Sequence, residues 1–570
     1  MAKKLLSILI FTAVIISSFP VRSDENFPGS SDHGKHLLNW IESNVSRKTG
    51  MPLSFYIDEK NNRDTLKTIG LPNSVSGIVE RMIVEEGISI YDASLWQIVL
   101  SRQTSPERRE KAELPVNVYW EGELGDLYNI RAGGFAKQSF VYDAKEYNRV
   151  SSDLSEKGRR GFIFRILNAH GNYLLNDPLD GKKYFEDYPN WSRLHWEDWK
   201  PIAGENAWVV IAALHLYHRK YYDEKNKRYE HDLQAKGLLL AKELARAAMI
   251  IQADNGGIRM APIGTYFYSL EPSEGTSLEE FIRQNDLEGK KSEQVYNGLV
   301  EEVGSEEALL NSSQTTWYYN EQSTENNLSW YIALRGLYEI TGDAQYYQAM
   351  RGIEGYLKSV WNAQGNYFYQ GTHFREGQWI PNKKHFAADV QTWGVCKLGP
   401  AKIDAWFGKG ASYKMWLATK KIVGASKGGK ALGIGYSSEN GRISVEWTVG
   451  SIYAMRELAH YYFQNEPDWA KSALADAGSM RAALEKYKTA IGPNAAAYPY
   501  SNERGWIPFG WFSHNPDVLS LVSTCWVYLY DTKFNPFYIG TKRDFIFDDI
   551  PDDRQVGARG KKQGFISKPI

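Results

Sequence analysis

Cysteine is nearly missing from this 570-residue chain, which holds only Cys396 and Cys525. Two thiols cannot supply the paired spacings of a structural zinc site, and they allow at most one disulfide. Both lie in apolar helical runs that belong to non-neighbouring elements, so they read as two buried thiols. HExxH, an EF-hand loop, GxSxG and a glycine-rich loop followed by Lys-Ser/Thr are all missing. The glycine cluster at 426–435 lacks GxGxxG spacing and a preceding strand. These gaps remove zinc peptidase, nucleophile-elbow hydrolase, phosphate-loop and dinucleotide-binding readings. An excess of one charge is missing too: the net charge is −1 and the pI is about 6.9. No electrostatic argument therefore favours nucleic acid or an anionic membrane surface. Nothing in the pattern requires a cofactor or a metal.

Long apolar runs are confined to the N-terminus. Lys3 and Lys4 precede the uncharged stretch Leu5 to Ser18, and Val21-Arg22-Ser23 offers small residues before a cut. Residues 1–23 read as a signal peptide, which implies a secreted or periplasmic protein. The competing reading is an uncleaved anchor, but the run is short against the ~20 residues a span needs. No other segment is apolar enough to cross a bilayer.

Aromatic residues, by contrast, abound: 19 Trp, 36 Tyr and 23 Phe. Six times a carboxylate stands at the start of a helix-like apolar run with Trp or Tyr close behind. These are Asp92 (YDASLW), Glu205 (ENAW), Glu325 (ENNLSWY), Asp389 (DVQTW), Glu446 (EWTVGSIY) and Asp517 (DVLSLVSTCW). A carboxylate there also reads as an ordinary helix cap or dipole partner. Flat rings beside carboxylates are equally what sugar binding and glycosidic-bond cleavage require.

From Glu205 onward the pattern is helical hairpins: 206–222 with 232–252, 325–340 with 344–361, 389–398 with 403–422, and 446–463 with 469–488. The last inner helix is expected over Asp517–Tyr530. Short links at Thr341-Gly342-Asp343 and 465–468 make the helices antiparallel neighbours. A single hairpin cannot bury its inner face, whereas six closed into a ring can. The expected fold is therefore mainly α, an (α/α)6 toroid spanning residues 76–540. The segment 24–75 wraps it and a polar tail covers 541–570. Residues 115–175 (PVNVYW, KQSFVYD, GFIFRIL) alternate or run apolar with β-branched and aromatic residues, and read as a small β-rich insertion.

Glu205, Asp389 and Glu446 are the candidate catalytic residues. Asp92, Tyr91, Trp196, Trp208, Glu325, Asn326, Asn327, Trp330, His385, Trp393, Trp447 and His514 are candidates for binding a poly- or oligosaccharide. Asn326 and Asn327 add more polarity than a helix start capped by Ser323 or Thr324 requires. Asp517 follows Pro516 where a simple cap is expected, so His514 stands in for it.

The motifs GENAW (204–208), STENNLSWYIALRGLYEITGD (323–343), DVQTWG (389–394), VEWTVGSIYAM (445–455) and CWVYLYDTKFNPF (525–537) resemble those of the six-hairpin glycosidase superfamily. The resemblance implies an active site at the inner-helix N-termini and an inverting reaction. Glu205 is similar to the general acid that some members carry early in the chain, and Asp389 or Glu446 to the later base. Members also include lyases, so a lyase using Arg259, Arg375, His373 and His385 is the alternative. A non-catalytic glycan-binding or envelope protein is the third reading.

Overall fold

The computed structural model describes residues 32–47, 49–57, 84, 87–121, 161–163, 165–168, 201–262, 318–438, 442–507, 511–539 and 544–548. The leader over 1–23, most of the stretch 115–175, Trp196 and most of the tail lie outside the described residues.

In chain order the helices are α1 (Asp32–Ser43), α2 (Ile90–Ser101), α3 (Pro106–Lys111), α4 (Leu114–Glu121), α5 (Ala203–Tyr221), α6 (Lys236–Ile250) and α7 (Thr324–Thr341). They continue with α8 (Ala344–Ser359), α9 (Ala388–Leu398), α10 (Pro400–Phe407), α11 (Ala411–Val423), α12 (Val445–Tyr462), α13 (Pro467–Leu484) and α14 (Leu521–Asp531). Helices α2, α5, α7, α9, α12 and α14 each pack on the next, and α14 returns to α2. That closes a six-membered ring. Helices α4, α6, α8, α11 and α13 form the outer layer behind it.

The two layers follow from residue pattern. Inner helices are buried on all sides and largely apolar: every residue of α9 is buried, and so is all of α2 except Tyr91. Outer helices are amphipathic. On α8 the buried stripe Tyr346, Ala349, Met350, Ile353, Tyr356 and Leu357 recurs at helical spacing while the opposite face is solvated. The turn between α7 and α8 uses Gly342 in the left-handed region (φ 69°), followed by Asp343, whose side chain accepts from the Gln345 N–H.

The ring is closed by the two ends of the described chain. The expected wrapping segment contains α1, which packs behind α14 as its outer partner. His33 Nε2 lies 3.0 Å from Asp531 Oδ2, and Arg481 holds the same carboxylate at 2.7 Å, tying α1, α13 and α14 together.

A further regularity appears at the helix starts. Four residues beyond the N-cap, five of the six inner helices carry a polar side chain that clamps the backbone of a preceding loop or strand. Asn206 bonds both the N–H and the C=O of Ile163, each at 2.9 Å. Asn327 does the same to Ile258 at 2.7 and 3.0 Å, and Gln391 to Phe368 at 2.9 Å twice. Thr448 and Thr524 accept the Ile434 and Tyr498 N–H groups, each at 3.0 Å. These bonds satisfy buried backbone groups and tie each preceding loop or strand to a helix start.

Three sequence expectations change. PVNVYW is not a strand: residues 114–121 are α4, whose Val116, Val118 and Tyr119 are buried against the body, so tertiary burial overrides β propensity. The expected helix over 403–422 is two helices, α10 and α11, separated by Gly408 (φ 100°) and Gly410 (φ 81°), a conformation a right-handed helix excludes. Asp517 does not start a helix. It is exposed in a turn, and α14 begins at Leu521 behind Ser520, whose hydroxyl accepts from the Ser523 N–H. Asp517→Asn is accordingly expected to leave stability within about 0.5 kcal/mol of the parent in urea unfolding. Both cysteines are buried thiols outside any disulfide.

Candidate active site

Because the inner helices run in one direction, their N-termini meet at one mouth of the toroid. A cavity of about 270 Å³ opens there, lined by Asp92, Glu205, Glu325, Asp389 and Glu446 from five inner helices. Tyr91, Trp208, Asn326, Trp393 and Trp447 line it too. So do Glu321, Arg165 and Tyr500, three polar residues the sequence reading did not single out.

The carboxylates are not the caps of their helices. Ser89, Ser323 and Ser444 cap α2, α7 and α12 through their hydroxyls, leaving Asp92, Glu325 and Glu446 in the first turn. At the starts of α5 and α9 the N-cap positions are Ile202 and Ala387, which have no capping side chain. The acids are thus free for other partners.

Those partners divide them. Glu205 is paired with the Arg165 guanidinium at 3.1 Å. Glu446 is 2 % exposed and accepts a 2.5 Å hydrogen bond from the Tyr91 hydroxyl, which in turn accepts from Trp526 Nε1 at 2.9 Å. Burial raises the Glu446 carboxyl to about 8, against the tyrosine bond and with help from Asp92 and Asp389. Asp389 is likewise raised to about 8, by burial first and then by Glu325. Its Oδ1 is buried with no hydrogen-bond partner among the described residues. Asp92 is raised to about 7 by burial, with the Ser54 and Ser89 hydroxyls opposing the shift. Removing several like charges from water in one hollow leaves some of them protonated at neutral pH.

Below the acids lies an aromatic floor. The Trp208 ring is 5.2 Å from Tyr91, 5.6 Å from Trp393 and 5.8 Å from Trp526 between centroids. Trp208 Nε1, Trp393 Nε1, Asn326 Nδ2 and Gln370 Oε1, all on cavity-lining residues, are also buried without a partner among the described residues. Orphaned buried polar atoms concentrate where a polar ligand would satisfy them. At Gly204 a Cβ would stand 2.1 Å from Asn326 Oδ1, so glycine there lets α5 approach α7 at the rim.

Several expected binding residues are elsewhere. Asn327 is a backbone clamp, Trp330 is fully buried 6.1 Å from Phe162, and neither lines the cavity. His514 packs edge-on against Phe55 at 4.5 Å, behind the wall, and His385 is half-buried outside it. Helical phase points Asn327 and Trp330 away from the hollow, whereas His385 and His514 lie in loops that precede their helices. The cations named for a lyase also sit outside. Arg259 stacks on Tyr319 and Trp379, Arg375 is exposed, and His373 pairs with Glu321 across adjacent strands at 2.6 Å. Arg165 and Tyr500 come from segments with no helical pattern, so only the fold reveals their place.

A closed ring of six helical hairpins, with acids and flat rings gathered at the inner-helix N-termini, defines the class. The fold is an (α/α)6 toroid. No family model and no curated protein matches the sequence. Among solved structures, the chain is similar to a cellobiose 2-epimerase from Bacillus thermoamylovorans, at 10% identity over 88% of this chain and 97% of that one, with a TM-score of 0.46. It is also similar to an α-1,6-mannanase from Salegentibacter, at 9% identity over 89% and 98% with a TM-score of 0.41. A D-mannose isomerase matches at 10% identity over 90% and 99%, with a TM-score of 0.42.

Proposed function

We propose that this protein is a carbohydrate-active enzyme, a glycoside hydrolase that cleaves a poly- or oligosaccharide with carboxylate acid/base catalysis. The observation that carries the reading is one aromatic-floored cavity in which a carboxylate paired with arginine stands among buried carboxyls whose proton affinity burial raises. Glycoside hydrolysis needs one carboxyl protonated and one ionised. The electrostatics favour the reverse of the roles read from sequence. Asp389 is the general acid, with one oxygen unpartnered at the cavity, and Glu205 is the general base. Glu446, steered by Tyr91, and Glu325 bind sugar hydroxyls, and the floor tryptophans stack on a ring face.

Carboxylates on separate helices around a mouth favour the wide spacing that admits a water, hence inversion. Export follows from the leader pattern and is tested by fractionating cells that express the full chain.

Incubation with a panel of neutral and uronate-containing glycans is expected to release reducing ends without the new double-bond absorbance of a lyase. Glu205→Gln is expected to lower kcat by about 10²–10⁴-fold with folding retained. Full activity in that variant would remove Glu205 from the mechanism. Binding without turnover by the parent protein would sink the enzymatic reading.

A further inference from the structure

A lysine is buried under the cavity floor, and the reaction above does not use it. Lys397 is 0 % exposed on α9, eight residues past Asp389 or about 12 Å along the helix. Long helical side chains lean back toward the N-terminus, which carries its ammonium up toward the acids. Nζ donates to Ser329 Oγ at 2.7 Å, and Ser329 Oγ donates to Glu325 Oε1 at 2.9 Å. The ammonium also lies 4.3 Å from the Trp393 ring centre, 5.4 Å from Trp208 and 5.6 Å from Phe537. Ring faces replace part of its lost hydration.

Packing alone gives no reason for a cation here. A methionine fills a comparable space among aromatic rings without the cost of desolvating a charge. The remaining reason is electrostatic. Glu325 and Arg335 of α7 face Lys397, Arg335 through the Lys397 carbonyl; Asp389 and Cys396 face it from its own helix. Glu205 of α5 bears on Glu325, and Glu446 of α12 bears on Asp389. Without a cation, Glu325 would be one more half-buried acid beside like charges.

We propose that Lys397 is a positioning residue which, through Ser329, holds Glu325 as a carboxylate aimed at the cavity, leaving the site's proton on its neighbours. The consequence for rate rests on the hydrolase reading; the charge state of Glu325 does not. Burial pulls the Lys397 ammonium down to about 8 and pushes the Glu325 carboxyl up, while each group opposes the other's shift. The linked pair therefore gains most from staying charged together.

The test is difference infrared spectroscopy at neutral pH, comparing each protein with its Glu325→Gln counterpart. In the parent the lost band is expected to be an ionised carboxylate. In Lys397→Met it is expected to be a protonated carboxyl. Ser329→Ala, which keeps the lysine and removes only a hydroxyl, is expected to raise the Glu325 midpoint by one pH unit or more, and it decides the matter if Lys397→Met does not fold. With an active glycan, the acid limb of kcat/KM is expected to move to higher pH in both variants and to stay in place in Lys397→Arg. An ionised Glu325 in Lys397→Met, or an unmoved midpoint in Ser329→Ala, overturns the proposal. If the infrared bands behave as expected and no glycan is turned over by the parent, the Lys397–Ser329–Glu325 coupling stands and the hydrolase reading falls.

Discussion

Asp389→Asn is expected to lower kcat on the cleaved glycan by about 10²–10⁴-fold, the range for losing a positioned proton donor. Asparagine keeps the shape of the side chain and cannot give up the proton. In the parent, activity is expected to fall as pH rises through about 8, where Asp389 loses its proton. The residual activity of the variant should lack that limb.

The same substitution has a thermodynamic signature of opposite sign. The native Asp389 carboxyl titrates near 8, and an unfolded aspartate near ~3.9. Between those values the native state binds the extra proton, so the stability contributed by this group is present below about 4 and lost as pH rises toward 8. Asparagine does not ionise, so its own contribution is flat across that window. Urea unfolding at about pH 5 and about pH 9 should therefore show Asp389→Asn gaining on the parent as pH rises. An enzyme that stores buried acids for chemistry gives up stability to do so. Parent-level turnover in the variant would remove Asp389 as the acid. An unchanged stability difference across the window would remove the burial argument.

Asn327→Ala is expected to act on the fold and not directly on the chemistry. The amide holds both backbone groups of Ile258 and donates to the Ser323 carbonyl at 2.9 Å. Truncation strands buried donors and acceptors and should cost about 2–4 kcal/mol in urea unfolding. Its neighbour Asn326 lines the cavity with Nδ2 unpartnered among the described residues, so Asn326→Ala should spare stability and raise KM instead. Adjacent asparagines with separable effects would establish that the clamp and the wall are different jobs. Equal stability loss at both would show that the pair serves only the fold.

The hairpins were legible because an inner helix is largely apolar and an outer one amphipathic. Gly342-Asp343 marks a turn by backbone chemistry alone. Misreadings fell where local signals are ambiguous. PVNVYW has strand-like composition but folds as a helix because the body buries Val118 and Tyr119. Asp517 follows proline like a cap, yet the helix waits for Ser520. Asn327 and Trp330 share a motif with Glu325 and Asn326, but a turn of 100° per residue carries them to other faces.

Residue pattern by itself determined the inner and outer helices, the hairpin links and the run of acids at helix starts. Those are local matters of periodicity, capping and turn geometry, set within a few residues of chain. Only the tertiary structure decided which acids share a cavity, that Arg165 reaches Glu205, and that Lys397 stands under Glu325. It also decided that α1, from near the chain's start, completes the ring behind α14. Proton affinity depends on burial and on neighbours brought together from distant parts of the chain, and neither exists until the ring closes.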